Sequence, residues 1–450
     1  MTTIDAAEPW DAPEGAAEGF AERPTETEGL LIYASVPLYR QGGVLFLEDQ
    51  ACNGLRRWAD NFGRLVAIMP VVEAPPPPAW IPVMEALDTP EHIRLEPVPT
   101  AYRPDQFMRH FWPTRRRIRR LILEADYLAF GIGGLFGDWG SVACLEASRL
   151  GRAYAVCTDR VESEVTRFAS RSGSMRHRLR TRLFHRPMAM LERAVVRRAG
   201  LGMFHGRETY NAFAPFCRQP EVIHDIHWSV RDHIDPARLL RKRVTVRDGP
   251  LRLVYAGRAD AMKGPYDWVE ALARLRDLGV DFRATWLGDG TELEAMRTRI
   301  AQADLADRVE TPGFVRERAA VLEALRDAHA FAFCHLTPES PRCLVEALIS
   351  GCPIIGYEGA YAADLIAEHG GGRLVPRGDV GALASTLASL DADRDALADL
   401  IARASRDGRP HDDISVFRHR SELIKRYLPP PHREAIGVAR SRRAAKPRTV

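Results

Sequence analysis

Residues 329–358 read HAFAFCHLTPESPRCLVEALISGCPIIGYE. HAFAFCHL (329–336) is an apolar run of strand length. LVEALIS (344–350) follows with helical apolar spacing, and PIIGYE (353–358) is a second strand-like run. Ser340 is placed to cap the helix and Gly351 to stop it. Pro341 suits the first helical position, where its missing N–H would be unpaired anyway. Strand, helix and strand within ~30 residues make a βαβ unit, and such units imply a parallel sheet.

The alternation extends in both directions. LRLVYAG (251–257), DFRATWLGDG (281–290), VETPGFV (309–315) and GRLVP (372–376) are further strand candidates of the second half, each followed by a helix-length segment. In the first half the candidates are LLIYASV (30–36), RLVAIMPV (64–71), YLAFGI (127–132), AYAVCT (153–158), GLGMFH (200–205) and EVIHD (221–225). Helical patterns fall between most of them, over 44–61, 105–125, 140–150, 160–197 and 206–216. Because the pattern occurs twice, the expected fold is α/β, with two doubly wound, Rossmann-like domains facing a cleft. These domains are residues 29–225 and 251–410, joined by a charged, poorly periodic linker at 226–250. Residues 1–28, acidic and rich in Pro, Gly and Ala, and the Pro-rich then basic tail 429–450 are expected to be disordered. Ligands of open parallel sheets bind beyond the carboxyl ends of the strands, so the functional residues are sought there.

Composition narrows the function classes. The chain has 450 residues, 46% hydrophobic and 27% charged, with a formal net charge of +3. That is enough chain for two cores, and it makes no global case for nucleic-acid binding. Seven cysteines, an odd number with no CxxC pair and no His/Cys cluster, argue against a disulfide framework and a zinc site and point to a reducing compartment. No apolar run reaches the ~18 residues of a membrane span. The N-terminal stretch lacks the apolar core of a secretory signal. The expectation is a cytoplasmic protein whose membrane contact is limited to its surface.

Three motifs of the second half carry chemistry. In YAGRADAMKGPYDWVEALARL (255–275) a strand ends at Gly257, Arg258 and Lys263 follow, and a helix starts near Pro265. Two cations beside a helix N-terminus suit a diphosphate: the guanidinium forks onto oxygens and the ammonium acts as a point charge. A solvated loop with two surface cations is the competing reading. In WLGDGTELEAMRTRI (286–300), Gly288 and Gly290 let the backbone approach a ligand, and Thr291 is placed as a cap. In the opening stretch, Glu339 precedes the helix N-terminus. Glu346 lies inside the helix among Leu344, Val345, Ala347 and Leu348, so it is expected to be partly buried. An i,i+4 pair with Arg342 is its bland explanation, and a ribose diol its functional partner.

Together with PGFV (312–315), these motifs resemble the C-terminal half of the GT-B retaining glycosyltransferases related to the glycosyl transferases group 1 (family 4). The resemblance is specific from about 251 to 390 and architectural before that. It implies that Arg258 and Lys263 hold the donor diphosphate and that Glu346, as the second glutamate of an E-x7-E motif, binds the donor ribose. The first glutamate of the motif lies near the transferred sugar. Glu339 is its candidate here, although six residues separate it from Glu346, and the strict positional equivalent would be Pro338. The resemblance further implies a Gly-rich loop near the donor after the first strand, which falls on Gly42 and Gly43 of PLYRQGGVLFLEDQ (37–50); a plain turn is the alternative. It also implies a final helix, within 411–428, that crosses back onto the first domain, and no metal or other cofactor beside the nucleotide sugar.

Other features of the first half stand apart from that family pattern. GIGGLFGDWG (131–140) lacks the spacing of a dinucleotide fingerprint and is read as a cleft-lining loop. IHDIHWS (223–229) places His224, Asp225 and His227 at the domain junction. Acceptor chemistry, with His227 as the catalytic candidate, competes there with a plain interdomain hydrogen-bond network. Two segments are strongly basic: RHFWPTRRRIRR (109–120), and Val165 to Gly200 with ten arginines against the single acid Glu192. With apolar and aromatic positions interleaved, both are candidates for an anionic membrane surface, and a solvated basic face is the alternative. No recognition motif for nucleic acid accompanies them. DAD (391–393) matches a metal-binding pattern but falls in a polar helix–turn region and is read as surface.

The expected function is a retaining, hexosyltransferase-like enzyme moving a sugar from a nucleotide diphosphate sugar to an envelope or exopolysaccharide acceptor, lipid-linked acceptors included. A nucleotide-sugar epimerase or phosphorylase on the same fold and an inactive scaffold for polysaccharide assembly are the competing functions.

Overall fold

The computed structural model describes residues 28–77, 80–87, 90–169, 175–337 and 339–430. The expectations of disordered tails, and the position of Pro338, fall largely or wholly outside them.

The first sheet has seven parallel strands: β1 (Gly29–Tyr33), β2 (Arg64–Val72), β3 (Ile93–Pro99), β4 (Tyr127–Gly131), β5 (Ala155–Thr158), β6 (Leu201–His205) and β7 (Pro220–Ile223). Their order is β3-β2-β1-β4-β5-β6-β7. In the central strand β1 every residue is buried, because helices cover both faces; that is why it reads as a continuous apolar run rather than an alternation. A hairpin, Leu38–Gln41 with Val44–Glu48, extends this sheet at the end of β2. Its turn is Gly42 and Gly43, both left-handed (φ 58° and 83°), the backbone that a two-residue hairpin turn demands. The helix expected from residue 44 therefore starts only at Asp49, as α1 (Asp49–Asn61). The first basic segment forms the middle of α2 (Pro104–Glu124), and the second contains the whole of α3 (Met175–Arg198).

The linker holds more order than its sequence suggested. Residues Pro236–Thr245 are helical, with Pro236 in the first turn and the Asp235 carboxylate accepting from the Arg238 N–H at 2.8 Å. Beyond it the second sheet comprises β8 (Leu251–Ala256), β9 (Phe282–Leu287), β10 (Val309–Gly313), β11 (Ala330–Phe333), β12 (Ile354–Tyr357) and β13 (Gly372–Val375). All are parallel, in the order β10-β9-β8-β11-β12-β13. Helices α4 (Pro265–Asp277), α5 (Arg318–Asp327) and α6 (Arg342–Ile349) bear on the site.

After the second sheet the chain returns to the first through α7 (Asp413–Tyr427). The Asp413 carboxylate accepts from Asn53 Nδ2 at 2.9 Å and Arg57 Nε at 2.8 Å on α1, and the Arg420 guanidinium stands 4.7 Å over the Trp58 ring. Both sheets thus share one strand order, which reverses between β1 and β4 in the first and between β8 and β11 in the second. Crevices open at such reversals, outside the carboxyl ends of the strands.

Candidate functional site

A cleft of about 1270 Å³ lies between the two sheets, and the ends of β8 and β9 and the loop and helix after β11 supply one wall. Gly257 and Arg258 follow β8. Arg258 is 65% exposed in its side chain, with Nη1 3.0 Å from Asp260 Oδ2. A single 3₁₀ turn, Ala261–Lys263, then brings Lys263 inward, and its Nζ lies 2.7 Å from Glu339 Oε1, both side chains nearly buried. Gly264 follows with φ 65°, and a Cβ there would collide with the Cys334 carbonyl. Glycine is thus what lets the turn carrying Lys263 pack on the end of β11 and α4 begin at Pro265.

Gly288, at the end of β9, was expected to admit a ligand. Its φ of 152° and the collision its Cβ would make with the Gly257 carbonyl give it a different duty. It lets two strand-end loops lie against each other, joined by Gly257 N–H to Leu287 O (2.8 Å) and Ala259 N–H to Asp289 O (2.9 Å). Thr291 does not cap the next helix; it bonds weakly to Asp260. Phe314, 61% exposed, and Val315 stand at the far rim of the cleft.

The first residues of α6 reach the cleft from below β11. The helix begins at Arg342 with Pro341 as its N-cap, one residue later than expected. Ser340 is not a cap: its hydroxyl donates to the His205 carbonyl at 2.5 Å, across the domain boundary. Glu346 lines the cleft and is partly buried. Burial raises its pKa, while Arg318, Arg342 and a hydrogen bond with Trp228 act in the opposite direction. Its i−4 neighbour does not pair with it directly, because Arg342 reaches across to Asp225 and to Gln50 Oε1 (2.8 Å). Beside the loops that carry Arg258 and Lys263, the Tyr255 hydroxyl and His335 Nε2 share a buried 2.9 Å hydrogen bond.

A second, smaller cavity of about 220 Å³ sits at the reversal of the first sheet. Its walls include Tyr33, Trp58, Cys157, His227 and Phe417, together with Gly131 and Ile132 of the glycine-rich loop. Glu48, Asp159, His205 and Arg342 line both cavities, so the two meet at a shared wall. That wall is heavily bonded. Asp225 takes Arg342, Arg420 Nη1 (3.0 Å) and His227 Nε2 (3.5 Å). Burial alone would raise the pKa of Asp225; Arg342, His227 and Arg420 hold it well below the usual carboxylate range. His205 Nδ1 accepts from the Asp225 N–H (2.9 Å), so its proton sits on Nε2 and donates to the Ser340 carbonyl (3.0 Å). Burial brings its pKa down to about 4.

The structure therefore brings Arg258, Lys263, Gly288, Glu339 and Glu346 to one cleft. It separates Gly42 and Gly43 from that cleft: they form a hairpin turn with open space around them and line neither cavity. His227 lines the smaller cavity and not the larger cleft, with Nδ1 buried and unpaired. Asp391 pairs with Arg394 and Asp393 caps the following helix, remote from both cavities. Sequence reading missed Arg160, Arg318 and the Tyr255–His335 pair. Nothing in their local spacing marks them; only the topology brings Arg160 and Tyr255 to the cleft, His335 behind Tyr255, and Arg318 near enough to Glu346 to act on its carboxylate.

Two Rossmann-like domains across such a cleft define the GT-B class of proteins. Within that class, residues 237–407 match the model of the family Glycosyl transferases group 1. Among curated relatives, WcaL of Escherichia coli K12, named for colanic acid biosynthesis as a glycosyltransferase, is 33% identical over 186 residues, 40% of this chain and 45% of WcaL. The amylovoran biosynthesis glycosyltransferase AmsK of Erwinia amylovora is 29% identical over 201 residues, 43% of this chain and 49% of AmsK. The chain thus spans less than half the length of these relatives. Among solved structures, HepE of Anabaena in complex with UDP-glucose superimposes with a TM-score of 0.62 over 88% of this chain and 98% of that one, at 16% identity, a likeness of fold.

Proposed function

We propose that the chain is a retaining glycosyltransferase of family 4 type that moves a hexosyl group from a nucleoside diphosphate sugar to an acceptor of an envelope or extracellular polysaccharide, lipid-linked acceptors included. The observation that carries this reading is the shared wall: a large cleft bearing Arg258 and Lys263 at its strand ends opens directly beside a compact, aromatic-walled cavity, and we read the first as the donor site and the second as the acceptor site. HepE, of similar fold, is described with UDP-glucose, and WcaL and AmsK are named for polysaccharide synthesis.

In this reading Arg258 and Lys263 take the charge that develops on the departing diphosphate, with the N–H groups opening α6. No metal or other cofactor is assigned a part. Glu346 anchors the ribose hydroxyls. Glu339, held against Lys263, faces the transferred sugar. His227 serves the acceptor, from the cavity it lines. Stereochemistry is the test: the protein is incubated with UDP-, GDP- and ADP-sugars and saccharide acceptors, and the anomeric configuration of the product is read by NMR. Retained configuration is expected. Isomerised donor would favour an epimerase, and nucleotide binding without turnover would favour a scaffold.

The same reading places the protein at the inner face of a membrane, as a cytoplasmic, peripheral enzyme. Its support is the pair of basic helices. Among the described residues, no helix is long and apolar enough to cross a membrane. On α2, Met108, Trp112 and Leu123 are exposed among Arg109, Arg116 and Arg120; on α3, Leu183 and Met190 are exposed with Arg186. Phe107, Phe136 and Phe184 link the two helices edge to face (6.0 and 5.7 Å).

A further inference from the structure

The first domain must touch the donor somewhere if closing the cleft is to matter, and the glycine turn expected to do this lies elsewhere. The loop after β5 is in the right place. Arg160 forms an isolated antiparallel bridge with Glu339, so its backbone is pinned to the residue that holds Lys263. The Thr158 hydroxyl donates to the Arg160 carbonyl at 2.8 Å and fixes the loop further. The Arg160 side chain lines the same cleft as Arg258, Lys263 and Gly288, and the Glu339 carboxylate is close enough to favour its charge. Its neighbour Asp159 lines both cavities, so Arg160 enters the cleft at the end that faces the smaller one.

We infer that Arg160 is the first domain's donor-binding residue, supplying a third cation to the phosphate nearer the sugar of a nucleoside diphosphate sugar. The inference rests on the proposed use of the cleft. Its guanidinium now pairs with Glu162 Oε2 at 2.6 Å and is 40% exposed. A diphosphate offers the same fork a doubly charged partner, so exchange of Glu162 for phosphate oxygens needs only a side-chain rotation. Arg258 and Lys263 belong to the second domain, so Arg160 is the cation that reports closure. An arginine held by main-chain contacts to the opposite domain delivers its charge only when the two sheets face each other.

The test is titration calorimetry with paired nucleotides, UDP with UMP, GDP with GMP and ADP with AMP, on wild type, Arg160→Gln, Arg160→Lys and Glu162→Gln. For the pair that binds, Arg160→Gln is expected to weaken the diphosphate about tenfold or more and leave the monophosphate unchanged, because only the diphosphate carries the oxygens that Arg160 reaches. Arg160→Lys should fall between, and Glu162→Gln should bind the diphosphate at least as tightly as wild type. Equal weakening of both nucleotides by Arg160→Gln would show a merely structural loop and overturn the inference, as would undiminished diphosphate binding. If wild type binds none of the six, the cleft is not a nucleotide site, and the proposed function fails together with the inference. That result is distinct from a defect confined to the Arg160 variants.

Discussion

The two sheets have the same strand order and the same reversal point, yet they furnish that point in different ways. The second domain leaves an open cleft of about 1270 Å³ edged by Arg258, Lys263 and two carboxylates. The first closes its crevice to about 220 Å³ with Tyr33, Trp58 and Phe417, the last contributed by the returning helix α7. The difference teaches how one architecture can build two kinds of site. The cations and glycine-bearing loops of the larger cleft sit at strand ends and are local in the chain, whereas the aromatic wall of the smaller cavity is assembled from residues far apart in the chain.

The glycines offer the hardest test of that contrast. Gly264→Ala forces a side chain into left-handed backbone and against the Cys334 carbonyl. It should cost about 3 kcal/mol or more and abolish nucleotide binding by displacing Lys263. Gly43→Ala has left-handed backbone but open space, so it should cost only about 1–2 kcal/mol and leave nucleotide affinity intact. Thermal unfolding with calorimetry on both variants decides it; equal loss of binding would return the Gly42–Gly43 turn to the site.

Next in size is Glu346. If its carboxylate accepts two ribose hydroxyls, Glu346→Ala should lose roughly 1.5–3 kcal/mol of nucleotide affinity per bond, with the smaller cavity untouched. Unchanged affinity would sink the ribose assignment and leave Arg318 and Trp228 as the carboxylate's whole purpose.

The shared wall has its own signature in pH. His205 is held neutral with a pKa down to about 4, and burial takes the neighbouring His224 to about 3. Both start from 6.5, so between pH 6.5 and 4 the unfolded chain binds protons that the native chain refuses. Stability therefore rises with pH across that window and is lost on acidification, by on the order of 1–3 kcal/mol for each buried histidine. His205→Gln, which can still donate to Ser340, should flatten the dependence of the unfolding temperature on pH. An unchanged slope would show that His205 does not carry it.

How much of this was legible in the sequence follows the same division. Strand–helix alternation located nearly every core strand, because central parallel strands such as Gly29–Tyr33 must be apolar on both faces. That Arg258, Lys263, Gly288 and Glu339 share a cleft was legible because each follows a strand end of the second domain by a few residues; Glu346 was legible from its apolar neighbours on the helix after β11. Gly42 and Gly43 misled because a glycine pair fits a hairpin turn as well as a ligand loop, and only the pairing of Leu38–Gln41 with Val44–Glu48 separates the two. Ser340 misled for a related reason: its hydroxyl was taken by His205, a residue 135 positions earlier. The Asp225–Arg342–Arg420 hub likewise joins both domains and the returning helix, and no local spacing records such a contact.

The smallest effect concerns the outer surface of the first domain, where the contrast between the sheets becomes one of charge. Not every arginine of the basic helices is available. Arg115 and Arg119 hold the buried Glu146 carboxylate at 2.7 and 2.6 Å, and Arg117 holds Glu96. The acid of the second basic segment is spent inward as well, since Glu192 accepts from the Ser163 N–H (3.1 Å) and hydroxyl (2.6 Å). Among the described residues, those facing outward include Arg109, Arg116, Arg120 and Arg186 beside exposed Trp112 and Met190, an arrangement in which aromatic and aliphatic groups can enter a headgroup layer while the cations meet anionic lipid. Each cation near such a surface adds about 1 kcal/mol, so Arg116→Gln and Arg120→Gln together should weaken binding to phosphatidylserine vesicles at low salt by roughly 10- to 30-fold. Trp112→Ala should weaken it further without changing its salt dependence, because its contribution is apolar burial. Nucleotide affinity should be indifferent to all three changes, since these positions belong to neither cavity; vesicle binding equally indifferent would leave the basic face as ordinary solvated surface.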